Sequence, residues 1–436
     1  MSSKAPSEIQ IAILLDFYNS GRLADAEKLA LAITVEFPEH QLSWKLLGTI
    51  MGQTGRYAEA LSPNQKAVQL APQDSDAHYN LGLTLAELNE FDEAEKSYAN
   101  AIALNPKNFQ AHTNLGNTHK SLGKLEKAVA SYETAIALNP NYALAHNNLG
   151  NALLELARLT DAQNSYLQAV KVKPDYADAF WNLSSCEKSI KESEQWIDQV
   201  LVADANAELA RLTKAALRFY QGDIKSFDGL MQSEFKKHPY MRSFLWVFSL
   251  PNLPELHFNK WCFFDAIIKK SIISKPFYEF GVWRASSFKY LIKSFKKGYG
   301  FDTFTGLPED WNLGDHIEKE GTYTSDGNVP KIRGGEFIVG KFEDTLPVFF
   351  AKSRPIASVL NFDADLYSST ICALNYSKVV MDKDTILVFD EFIINERWEQ
   401  DEYKALNEFC SINNFSYEVI AVSFFTKQVA VKLIGI

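Results

Sequence analysis

Asp363 and Asp365 in LNFDADLYSST, Asp390 and Glu391 in ILVFDEF, Asp302 in GFDTF and Glu279 in YEFGVW each stand where an apolar run meets a polar one. Carboxylates so placed have three chemical uses. They ligate a hard divalent cation, accept hydrogen bonds from a polar ligand, or take a substrate proton. The plainer alternative is that Asp365, ahead of LYSST, caps the next helix. Gly281 would let the backbone approach a ligand closely. Asp302, about twenty residues further on, can accept hydrogen bonds from two ribose hydroxyls.

The elements that must position these residues alternate. PFYEFGVW, GYGFDTF, EFIVGKF, ASVLNFDADLY and TILVFDEF are expected strands, separated by helical stretches such as SSFKYLIKSFKK and STICALNYSKVV. YEVIAVSFFTKQVAVKLIGI closes the chain as two adjoining strands. The alternation predicts a mostly parallel, doubly wound α/β sheet, which binds ligands at the carboxyl ends of its strands. Glu279 and Gly281, Asp302, Phe342 and Glu343, Asp363 and Asp365, and Asp390 and Glu391 all fall at such ends.

From about Phe277 to Val431 the chain resembles the macrocin O-methyltransferase family, Rossmann-like class I S-adenosylmethionine enzymes. The resemblance rests on EFGVWRASSFKYL, GFDTFTGLPEDW, GKFEDTLP, LNFDADLYSST and VFDEF, in that order. It implies that Glu279, Gly281 and Ser287 face the methionine part of the cofactor, Asp302 the ribose, and Phe342 and Glu343 the adenine. It further implies Mg²⁺ held by Asp363, Asp390 and Glu391. The sequence departs from the pattern at Ala285, where a second glycine is usual, and at Glu391, where relatives often carry aspartate. A divalent ion would lower the pKa of an acceptor hydroxyl, with Asp363 or Asp365 as the base. The only histidine near these motifs is His316, in the region of the loop. GTYTSDGNVPKIRGG is expected to form a lid over the acceptor.

The first half has a different pattern. Gly48, Gly82, Gly116 and Gly150 recur every 34 residues, as do Ala26, Ala60, Ala94, Ala128 and Ala162, and Pro38, Pro72, Pro106, Pro140 and Pro174. This period and these marks resemble the tetratricopeptide repeat, an all-α solenoid of stacked helix pairs. Gly and Ala are expected where paired helices approach closely, with Pro ending the second helix. Asn80, Asn114, Asn148 and Asn182 share the period and resemble the asparagine ladder of O-GlcNAc transferases. They are expected either to grip an extended peptide or protein in the groove or to bond neighbouring repeats. His78, His112 and His146 recur likewise but lie too far apart to share an ion, so a structural or groove-lining role is expected. The predicted organisation is a solenoid over 7–176 and a degenerate repeat with capping helices over 177–238. A linker and helix over 239–276 would precede the α/β domain over 277–436.

A net charge of −10 argues against nucleic acid as a main partner. No run of 18 apolar residues predicts a membrane span, and MSSKAPSEIQ lacks the pattern of a signal peptide, so a cytoplasmic protein is expected. Cys186, Cys262, Cys372 and Cys410 form no CxxC and are expected to be reduced thiols. The function expected from these readings is methyl transfer to a hydroxyl of a sugar, glycan or secondary metabolite. Two alternatives are a metal-dependent glycosyltransferase, from the DxD-like Asp363–Asp365, and a repeat scaffold whose second domain has lost turnover.

Overall fold

Between Glu8 and Val172 the 34-residue marks become five helix–turn–helix pairs, from Glu8–Asn19 with Leu23–Glu36 to Ala143–Glu155 with Leu159–Val172. The computed structural model describes residues 5–436, and the first of its two units ends at Pro174. Each marker has a physical reason. Ala26, Ala60, Ala94, Ala128 and Ala162 are completely buried. A Cβ at Gly82, Gly116 or Gly150 would lie 2.8, 2.5 or 2.4 Å from the ring of Tyr98, Tyr132 or Tyr166, the residue sixteen places on. Glycine is therefore the socket for a buried tyrosine on the second helix of its own pair.

The recurring histidines are structural. Nε2 of His78, His112 and His146 lies 3.0, 3.1 and 2.9 Å from the carbonyl oxygen of Pro72, Pro106 and Pro140. Since a carbonyl only accepts, the imidazole donates from Nε2. Trp44, one period earlier, donates its Nε1–H to Pro38 in the same way at 2.8 Å. One period later stands Phe180, which has no donor, and there the pattern lapses.

The asparagine series also ties repeats together. The Nδ2 of Asn80 donates to Thr49 Oγ1 at 2.9 Å, that of Asn114 to Tyr79 OH at 3.0 Å, and that of Asn148 to Asn117 Oδ1 at 3.0 Å. Each of these three bonds runs to the preceding repeat.

The second unit, Asp175–Ile436, contains further helices and a mixed eight-stranded sheet. Its strands in chain order are β1 (Glu255–His257), β2 (Phe277–Phe280), β3 (Gly298–Asp302), β4 (Trp311–Asn312), β5 (Ile317–Glu318), β6 (Gly335–Val339), β7 (Val359–Phe362), β8 (Ile386–Phe389), β9 (Ser416–Ser423) and β10 (Val429–Ile434). The order across the large sheet is β1-β9-β10-β8-β7-β2-β3-β6, while β4 and β5 form a separate ribbon. From β6 to β8 neighbouring strands are parallel, and β10 is antiparallel to both β8 and β9. Strands β2, β7 and β8 are buried at every position, as expected of parallel strands covered on both faces. The segment expected to be a linker supplies β1, which pairs in parallel with β9, and then the helix Lys260–Lys270.

The chain runs outward from β2 through β3 to β6, then returns beside β2 with β7 and continues to β8. The reversal lies between β2 and β7, where open α/β sheets hold ligands. All four cysteines are free. Among the described residues no helix is long and apolar enough to cross a membrane.

Candidate functional site

A row of phenylalanines sets the level of the site. Phe301, Phe280, Phe362 and Phe389 are the register partners on β3, β2, β7 and β8. Their rings stack at 5.0, 5.1 and 4.9 Å with interplanar angles of 13–15°. The residue following each phenylalanine is Asp302, Gly281, Asp363 or Asp390. Because side chains alternate across a strand, the stacked rings lie on one face and bring these residues level on the other. Phe342 packs edge-on against Phe280 at 6.0 Å, whereas Glu343 beside it is exposed.

The glycine loop turns sharply after β2. Gly281, Trp283 and Ala285 all have positive φ, of 87°, 44° and 61°. A Cβ at Gly281 would lie 1.8 Å from the Asp363 carbonyl, so the glycine is required by the neighbouring strand end itself. Ala285 is completely buried in a conformation that glycine adopts more readily. Asp302 closes the loop: its Oδ2 accepts from the amides of Val282 and Trp283 at 2.6 and 2.7 Å, and its Oδ1 from Phe304 at 2.6 Å. Ser287 is buried on the short helix that follows.

At the chain reversal, Glu279 and Asn361 are register partners on β2 and β7, 1% and 0% exposed. Glu279 Oε2 and both amide atoms of Asn361 are buried without hydrogen-bond partners. Burial, reinforced by the Asp363 carboxylate, pushes the Glu279 carboxyl well above its ordinary range, with Lys260 opposing.

The three acids expected to hold Mg²⁺ are met by lysines. Lys260 Nζ lies 3.0 and 3.1 Å from the two carboxylate oxygens of Asp390, and 3.6 Å from Asp363 Oδ2. Gln428 Nε2 also donates to Asp390 Oδ1, at 2.7 Å. Lys427 Nζ donates to Glu391 Oε2 at 2.7 Å. Burial opposes the charge on Lys260, but Asp390 and Asp363 outweigh it and raise the lysine above its ordinary range. Asp363 is raised by burial and by Asp390, against Lys260. Among the described residues no group of three or more potential ligands is arranged to hold a metal ion. At this place ammonium groups already neutralise the oxygens that Mg²⁺ would use, so the residues in this arrangement do not fit that ion.

Asp365 has φ 59°, and the helix after it begins at Tyr367 with no side-chain cap, so capping is not its role. Burial, then Asp363 and Glu391, push its carboxyl well above the ordinary range. Glu402, absent from the sequence reading, is completely buried, and its Oε2 accepts from the Glu391 amide at 3.1 Å. The expected lid is latched to the glycine loop. Trp283 Nε1 donates to the Thr324 carbonyl at 3.1 Å, and Tyr323 packs edge-on against Trp283 at 5.6 Å. Burial raises the Tyr323 hydroxyl, with Glu318, Asp365 and Glu391 adding to it. His316 is exposed in the β4–β5 ribbon region, paired with Asp315 and Glu318.

Lys260, Lys427, Gln428, Asn361 and Glu402 were not legible as site residues. Only Asn361, a polar side chain inside the buried strand VLNF, carried a signal that could have revealed it.

Tetratricopeptide-repeat families match residues 11–75 and 147–208, 75–108, 97–130 and 116–157. A comparison with curated proteins finds no match. Among solved structures, 39% of this chain aligns with 92% of the crystal structure of MamA protein, at 24% identity and a TM-score of 0.36. For pilF of Pseudomonas aeruginosa the coverages are 47% and 96%, with 18% identity and a TM-score of 0.41. For YrrB, described as a TPR protein with an unusual peptide-binding site, they are 42% and 97%, with 20% identity and a TM-score of 0.36. The first part of the chain is thus a helical solenoid of tetratricopeptide repeats, and a region built on a mixed sheet follows it.

Proposed function

We propose that the second unit binds S-adenosylmethionine and transfers its methyl group to a hydroxyl of a sugar, glycan or secondary metabolite. The repeats would recruit that acceptor or an extended protein partner. One observation carries this reading. Glu279 and Asn361 leave three buried polar atoms unsatisfied at the chain reversal, each costing about 1–3 kcal/mol. A ligand end bearing both an ammonium and a carboxylate satisfies them, with Glu279 accepting from the ammonium and Asn361 able to donate and accept. The parallel strands whose carboxyl ends present Gly281, Asp302, Asp363 and Asp390 support the reading, as does the resemblance of the motifs.

S-adenosylmethionine, when bound, supplies a methyl group already activated by its sulfonium. The chain's task is to orient the acceptor and remove its proton. Asp302 spends its oxygens on three loop amides, which holds the loop in shape and leaves acceptor capacity for a ribose hydroxyl. Asp365 is the better base of the two candidates. Burial raises its carboxyl, which favours taking up a proton, whereas Asp363 already faces Lys260.

Titration calorimetry tests the reading. The wild-type chain should bind S-adenosylmethionine, and Glu279→Gln, which keeps the shape, should weaken binding at least about tenfold. Because burial favours the protonated Glu279, binding of an ammonium should release a proton, read as a binding heat that depends on the buffer. Asp365→Asn should bind normally yet transfer labelled methyl to hydroxyl acceptors at least about 10²-fold more slowly. Full activity in that variant would move the base to Asp363. A second reading, a repeat scaffold without turnover, is favoured by the buried methyl group of Ala285 in the loop. No binding of S-adenosylmethionine by the wild type would establish it over the first.

A further inference from the structure

We propose that Lys260 is the resident cation of the acid cluster and takes the place of a divalent metal ion. The reason is occupancy. Mg²⁺ would need carboxylate oxygens at about 2.0–2.1 Å. Lys260 Nζ stands 3.0 and 3.1 Å from both oxygens of Asp390 and 3.6 Å from Asp363 Oδ2, so it lies in the space between the two strand ends. An ion there would meet the ammonium at close range, and like charges would repel.

The surroundings fix the ammonium in place. Lys260 is the first residue of the helix Lys260–Lys270, whose N-cap Asn259 is almost wholly buried. Asn259 Oδ1 accepts from the Cys262 amide at 2.9 Å, and its Nδ2 donates to the Ser185 carbonyl at 3.0 Å. The helix start is thereby tied down on two sides. Gln428 Nε2 holds Asp390 Oδ1 from the other direction. The remaining expected ligand, Glu391, is bound by Lys427. Two lysines thus serve three acids that would otherwise demand a cation.

The same ammonium lies at the strand ends beside the proposed ligand site, and any role it has towards that ligand rests on the reading above. The exclusion of metal does not, because it is read from ion binding alone. Mn²⁺ is titrated into the full chain, and free and bound ion are distinguished by electron paramagnetic resonance. Wild type should show no saturable site, whereas Lys260→Met should acquire one, binding Mn²⁺ at least about tenfold more tightly than wild type. The new site should disappear in Lys260→Met/Asp390→Asn. A saturable site in wild type that is lost in Asp363→Asn or Asp390→Asn would overturn the proposal. So would a folded Lys260→Met chain that binds no ion. Should Lys260→Met not fold, the wild-type titration still decides between the two.

Discussion

Asp401 shows how a single side chain can oppose the fold it belongs to. It is 9% exposed, and the hydrogen bond that its carboxylate accepts from Trp311 Nε1 is long at 3.5 Å. Burial pushes its carboxyl up to about 6, against the Trp311 bond and the Arg397 charge. The folded chain then holds this proton more tightly than the unfolded chain does. Stability from this group is complete below the unfolded value of about 3.9 and is lost as pH rises through about 6. At neutral pH the cost is at most about 3 kcal/mol, taking about 1.4 kcal/mol for each unit of the shift. Asp401→Asn removes the charge and keeps an acceptor for Trp311. It should stabilise the chain by about 1–3 kcal/mol at pH 7.5, with the gain shrinking towards zero near pH 4. Urea melts at both pH values check this; equal destabilisation at both would show that the carboxylate is well satisfied.

The elements differ in how openly the sequence announces them. In the repeats each packing demand recurs, so Gly116, Ala128 and Pro140 advertise their roles by spacing. What spacing could not separate was a groove-facing asparagine from one that bonds its neighbour. That distinction depends on where Thr49, Tyr79 and Asn117 sit on the preceding helix. In the sheet, buried strands ending in polar residues made the strand ends legible. Lys260 was not legible, because it lies outside every motif and reaches Asp390 across 130 positions of chain. Two substitutions rank the repeat interactions. Gly116→Ala would put a methyl 2.5 Å from the Tyr132 ring, which cannot swing away because its hydroxyl bonds Asn117 Oδ1 at 2.7 Å. A loss of about 1–3 kcal/mol is expected from such overpacking. His112→Phe copies the residue found at Phe180 and removes one bond to Pro106, a loss of about 1 kcal/mol. Denaturant midpoints should fall in that order, and the reverse order would mean that the glycine socket has slack.

At the scale of the whole molecule, two kinds of stability share one chain. A repeat array is held by neighbour upon neighbour, so a defect in it should be felt mainly in adjacent repeats. The sheet unit is held by a buried core that includes the four stacked phenylalanines, and the proposed ligand site lies at the ends of those same strands. A ligand that binds only the folded state stabilises what it binds by mass action, about 2.7 kcal/mol at a hundredfold excess over its Kd. Hydrogen exchange should resolve the two. With S-adenosylmethionine at that excess, amides of β2, β3 and β7 that exchange through opening of the site should slow by up to about 100-fold. Amides in the helices before Pro174 should keep their rates. Gly116→Ala should do the converse, speeding exchange in the helices around Phe109–Ser121 and Leu125–Leu138 while leaving the β2, β3 and β7 amides unchanged. Equal slowing throughout the chain on adding the cofactor would show one cooperative unit. Slowing confined to the repeats would move the binding site out of the sheet altogether.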